Sequence, residues 1–140
     1  MMKKIMTLLM LGGILLSACK RDKITVVPGT IAETGTALKG TWKWMSSATK
    51  GDGAETTELK NPVTDYMEFG AEGTFKMSYT DGNPPVEHSI ISTFSVPGAA
   101  TFKVNDETYT ITKLDANNLV FYNEFTSNGV SYRTTYTLSR

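Results

Sequence analysis

One cysteine, Cys19, and one histidine, His88, are all that the 140 residues offer for thiol or imidazole chemistry. Nucleophile–histidine–acid catalysis would rest entirely on His88, and no Gly-x-Ser-x-Gly elbow is present. A metal site would have to be built from carboxylates, and Asp81 and Asp115 lie in Gly/Asn turns that use them for turn geometry. The chain therefore reads as a non-enzyme that needs no cofactor and holds no metal. Charge of one sign is lacking too, with 14 basic residues against 14 acidic ones. That balance excludes nucleic acid as a partner. Helical spacing of apolar residues is missing from the region after residue 38, and only one long apolar run exists.

That run, from Ile5 to Ala18, follows Lys3 and Lys4 and ends in small residues before Cys19. A charged start, an apolar middle and a small-residue end make the layout of an export signal. At about 14 residues, interrupted by Gly12 and Gly13, it is too short to cross a hydrocarbon core of ~30 Å as a helix. Leu16-Ser17-Ala18-Cys19 resembles the lipobox of bacterial lipoproteins, in which the cysteine sulfur receives a diacylglycerol, the chain is cut before it and the new amine is acylated. The resemblance implies a signal peptide over 1–18 and palmitate-type acyl chains on Cys19. At ~0.8 kcal/mol per buried CH₂, more than one acyl chain gives a stable membrane anchor. Cleavage would remove two of the 14 lysines and arginines, leaving twelve against 14 acidic residues, a formal charge of −2. Lys20, Arg21 and Lys23 would lie close to phosphate head groups. In some lineages an acidic run at this place resembles a surface-export tag, so the basic run here favours the periplasmic face of the outer membrane.

Residues 19–37 carry Pro28, glycines and threonines without apolar periodicity and read as a tether, with a short helical turn over Thr36 to Lys39. Residues 38–140 suffice for one domain with one core. Their apolar pattern has period two: Phe75, Met77 and Tyr79 oppose Thr74, Lys76 and Ser78, and Tyr132, Tyr136 and Leu138 oppose Arg133, Thr135 and Thr137. Turn residues punctuate this pattern at Gly70–Gly73, Pro97-Gly98, Asn105-Asp106, Asp115–Asn118 and Ser127–Gly129. Eight antiparallel strands are predicted, over 40–48, 64–69, 74–80, 86–96, 100–104, 107–113, 118–126 and 130–139. The connection over 49–63 is expected to be a long loop.

Gly40-Thr41-Trp42, at the start of the first strand, resembles the G-x-W signature of the lipocalins. With the strand count and the chain end Tyr136–Arg140, the resemblance covers most of residues 38–140 and implies an all-β, eight-stranded antiparallel up-and-down barrel. In that family the signature tryptophan plugs the closed end beneath an arginine of the last strand. An eighth meander strand finishes beside the start of the first, and so Arg140 is the expected cover for Trp42. The long connection over 49–63 and the Asp81–Pro85 turn then fall at the open end. Inward-parity residues near that end are Trp44, Tyr79, His88, Tyr109 and Tyr132, an apolar cup with polar tips suited to a small apolar ligand. An eight-stranded barrel can also be filled by its own side chains. The expectation is an outer-membrane-anchored, periplasm-facing lipoprotein whose barrel binds such a ligand. The alternative is a self-filled barrel acting as a protein–protein interaction module of the cell envelope, presenting its loops or the outward Val120/Tyr122 surface to a partner.

Overall fold

The computed structural model describes residues 27–140, so the apolar run, Cys19 and the basic residues after it lie outside the described part. One helix, α1 (Ile31–Leu38), precedes nine strands: β1 (Gly40–Gly51), β2 (Ala54–Leu59), β3 (Tyr66–Phe69), β4 (Thr74–Asp81), β5 (Val86–Gly98), β6 (Thr101–Val104), β7 (Glu107–Leu114), β8 (Asn118–Ser127) and β9 (Val130–Ser139). Eight of these, β1 and β3 to β9, pair with their neighbours in chain order. Pairing of β1 with β9 from Lys43↔Ser139 to Gly51↔Tyr132 closes the barrel. The ninth strand, β2, is an addition to the expected eight. It folds back on the outer half of β1 through Asp52-Gly53, where both residues take positive φ (50° and 77°) as a two-residue hairpin turn requires. The expected long loop over 49–63 is therefore mostly a hairpin.

Alternation places the core. Trp42, Phe69, Phe102, Phe121, Leu114, Leu119 and Leu138 are fully buried inside the lower half of the barrel. Phe69 is packed edge-on by Phe75, Phe94 and Phe102 at centroid distances of 5.1–5.3 Å, and Phe102 meets Phe121 the same way at 4.9 Å. Edge-to-face contacts set the positive ring edge against the negative face, adding to the ~1.5–3 kcal/mol that burial of each such side chain contributes.

Helix α1 begins within the stretch expected to be a tether and belongs to the barrel. Thr30 caps its first turn, its Oγ1 accepting from Glu33 N at 3.2 Å. Thr34 and Leu38, four residues apart, form its buried side. The Thr34 hydroxyl donates to the Ala99 carbonyl in the β5–β6 turn at 2.5 Å, and Val27 and Ala37 pack on the core. The helix thus covers the closed end, where the β5–β6 and β7–β8 turns lie.

A bulge then decides which residues of β1 face inward. Trp44 pairs with Leu138 and Ser46 with Thr137, so Met45 is an extra residue, 37% exposed. Beyond it the inward set is Ser47, Thr49 and Gly51, opposite Tyr136, Thr134 and Tyr132.

Candidate functional site: a plugged barrel with a side-opening cup

The plug is built from the first and last strands. Gly40 takes φ +115°, a region open to glycine and strained for other residues, and a Cβ there would sit 3.1 Å from Arg140 Nη1. The Arg140 guanidinium lies 3.9 Å from the ring centroid of Trp42 and donates to the carbonyls of Lys39 (2.7 Å), Ala37 (3.1 Å) and Ala116 (3.0 Å). Trp42 Nε1 donates to the Leu38 carbonyl at 2.8 Å. One side chain thereby ties the end of α1, the β7–β8 turn and the last strand together over a fully buried indole.

Above this floor the barrel is hollow. A cavity of about 440 Å³ is walled by Trp44, Phe75, Met77, Phe102, Phe121 and Tyr136, among others. That volume lies within the range of small-molecule sites, ~300–1,000 Å³. Its opening is lateral. β5 stays paired with β4 back to Val86, whereas β6 stops at Val104, so the side of β5 facing β6 has no strand beside it before Phe94. Two bonds of Asn105 bridge the gap, from its N to the Thr93 carbonyl (3.1 Å) and from its Nδ2 to Ser92 Oγ (3.3 Å). The exposed wall residues Ile90, Asn105, Asp106 and Glu107 and the half-buried Ser92 all border this gap, which marks the mouth.

Polar groups are few and specifically placed. The Tyr109 hydroxyl donates to Glu107 Oε2 at 2.8 Å. Burial, reinforced by that bond and the Glu107 charge, pushes the Tyr109 phenol well above its ordinary pKa. Burial, with the same charge, raises Tyr136. Both phenols therefore remain protonated donors at neutral pH. On β8, Asn123 is the next inward residue after Phe121, and its buried Oδ1 has no hydrogen-bond partner among the described residues. Trp44 Nε1 donates to Ser47 Oγ at 3.0 Å.

Over the top of Trp44 lies Lys60, a residue the alternation pattern does not single out because it falls in the connection after β2. Its ammonium sits 4.4 Å from the Trp44 centroid and 5.6 Å from that of Tyr79, is bonded to Glu58 at 2.7 Å, and its side chain is only 10% exposed. The connection is held down by Asp65, 2% exposed, whose carboxylate accepts from Thr80 N (2.9 Å), Thr64 Oγ1 (3.0 Å) and Asn61 N (3.1 Å).

Of the five residues expected in the cup, Trp44 and Tyr109 are on the cavity wall. Tyr79 lies above it, edge-on to Trp44 at 6.4 Å and stacked on His88 at 4.9 Å. His88, directly opposite Tyr79 and on the same face, stands half-buried at the rim by the β4–β5 hairpin, above the cavity, with Nε2 2.6 Å from Asp81 Oδ1. Tyr132 is carried past the cup by the long β8–β9 hairpin and stacks on Phe125 at 5.3 Å, its ring so close to Gly51 that a Cβ there would lie 2.2 Å away. The outward Val120/Tyr122 surface is half-buried, and the Arg133 guanidinium covers Tyr122 at 3.9 Å while pairing with Glu124. Asp115 accepts from the backbone of Asn117 and Asn118, its carboxyl held below the usual range first by the Asn117 bond. Among the described residues no cluster of His, Cys, Asp and Glu is placed to hold a metal ion.

A closed eight-stranded antiparallel barrel, plugged at one end by a tryptophan under an arginine and hollow above it, is a lipocalin-like barrel. The chain belongs to the lipocalin-like domain family, whose description matches residues 38–129. Such barrels are typical of small-ligand binding, and the family's proteins are generally binding proteins and not enzymes. Among solved structures the chain is similar to a deswapped triple mutant of bovine odorant binding protein, at 16% identity, TM-score 0.46 and 74% coverage of each chain. It is also similar to the bovine lipocalin allergen Bos d 2, at 12% identity and TM-score 0.46, covering 76% of this chain and 74% of that one. No curated protein matches the chain.

Proposed function

We propose that the protein is a lipoprotein of the outer membrane, anchored through Cys19 and facing the periplasm, whose barrel binds a small, largely apolar ligand. The cavity of about 440 Å³, walled by aromatic rings and entered from the side, is the observation that carries the binding half of this reading. A barrel filled by its own side chains would leave no such space. The Arg133 guanidinium over Tyr122 leaves less open surface on this strand for the interaction-module alternative.

A neutral apolar fluorophore such as N-phenyl-1-naphthylamine should bind the purified protein one to one and quench tryptophan emission. The quenching should vanish in Trp44→Phe, because Trp44 is on the cavity wall and Trp42 is sealed in the floor. Ser92→Trp at the mouth should weaken binding several-fold. Binding that ignores both changes would place the probe elsewhere and defeat the cup reading.

The anchor rests on the sequence around Cys19. Cys19→Ser should move the protein from the membrane fraction to the soluble fraction, because the thiol is the acyl acceptor, while the circular dichroism of the barrel stays unchanged. Membrane association that survives the substitution would sink the anchor.

A further inference from the structure

The cup's rim has a sign. The ionisable carboxylates on the cavity wall are Asp106 and Glu107, both exposed and side by side at the β6–β7 turn, and no basic residue lines the cavity. Among the described residues the ion pairs are Lys60–Glu58, His88–Asp81 and Arg133–Glu124, so neither rim carboxylate has a cationic partner. Lys60, over Trp44, is already paired with Glu58. The cavity wall itself offers π surfaces, the rings of Trp44, Phe102, Phe121 and Tyr136. Ring faces and carboxylates favour the same partner, a positively charged hydrogen-bond donor.

We propose that the cup selects apolar molecules bearing an amine or other cationic end, the apolar body against Phe75, Phe102 and Phe121 and the cation at the Asp106/Glu107 rim. This rests on the ligand-binding reading above and names its substrate class. A carboxylate-bearing molecule of the same shape meets two like charges at this mouth. An alcohol of the same shape meets neither attraction nor repulsion. Opposite and like charges at a half-solvated rim differ enough for roughly tenfold or greater discrimination between amine and acid.

The test uses the full chain and three water-soluble probes with one apolar body: 2-phenylethylamine, 2-phenylethanol and 3-phenylpropionate. Affinities are read by Trp44 quenching and by chemical-shift titration. The amine should bind at least tenfold more tightly than the acid, with the alcohol between them. Glu107→Gln and, separately, Asp106→Asn should each shrink the amine-to-acid ratio several-fold, the ratio being taken within each variant so that any general change in the cup cancels. Asp106→Asn is the safer variant, because Glu107 also bonds Tyr109. Equal binding of all three, or preference for the acid, overturns the charge selection and leaves the cup intact. No binding of any probe, together with no binding of the neutral fluorophore, overturns the cup itself.

Discussion

Replacing Trp42 with alanine should lower the unfolding free energy by about 3–5 kcal/mol, the range for removing a large aromatic side chain from a packed core. The indole is fully buried, and its removal leaves a hole under a guanidinium that has lost its stacking surface. Because a domain of this size has roughly 5–15 kcal/mol in total, the variant should be close to unfolding at growth temperature. Urea titration followed by Trp44 fluorescence gives the number directly. Arg140→Ala should cost less, about 1–3 kcal/mol, since its three hydrogen bonds are exposed and water can replace them. Arg140→Lys should not restore the loss, because one ammonium cannot both stack flat on an indole and reach three carbonyls. If Arg140→Ala proves as damaging as Trp42→Ala, the arginine does more than cover the plug.

Asp65→Ala should cost roughly 2–4 kcal/mol, because it strips a charged acceptor from three donors in a place water scarcely reaches. The damage should be local in a recognisable way. Asp65 fastens the connection carrying Lys60 to the amide of Thr80 on β4, and its own carbonyl accepts from Trp44 N at 2.9 Å. Loss of the carboxylate should speed amide exchange at Thr80 and Asn61 and should shift Trp44 emission as Lys60 leaves the indole. Asp65→Asn should recover part of the stability, since one carboxamide oxygen can still accept while the NH₂ cannot. Uniform exchange changes across the barrel, with none concentrated at Thr80, would show that the carboxylate has no such fastening role.

Strands with one face inside were legible because burial imposes alternation. Phe75, Met77 and Tyr79 on β4 leave a period of two against Thr74, Lys76 and Ser78, whereas on β8 Leu119 and Phe121 alternate with Val120 and Tyr122 and neither face is cleanly polar. Strand β2 left no such trace. Ala54–Leu59 is exposed at every position, and its real signal is the Asp52-Gly53 turn. Helix α1 was hidden for a related reason. With Gly35 and two threonines it has weak propensity and only two buried positions, so its legible mark is the Thr30-x-x-Glu33 cap. The plug was readable from meander topology, which brings the last residue beside the first strand. The cup was only half readable, because parity says which way a side chain points and not how high it stands. Tyr132 points inward yet stands beyond the cavity, and the mouth depends on β6 being four residues long beside a thirteen-residue β5. Asp65 and Lys60 act through single contacts that no repeat pattern announces.

The Asn105 bridge bears on how a guest gets in. Entry through a ring of loops would require the chain to reshape whole connections, but here the doorway is a seam between two strand ends fastened by two hydrogen bonds from one residue. Unfastening that clasp frees no other strand pair, so the seam can part while the plug and the aromatic floor stay fixed. Under the proposed binding function, capture and release would then draw little on the stability of the barrel.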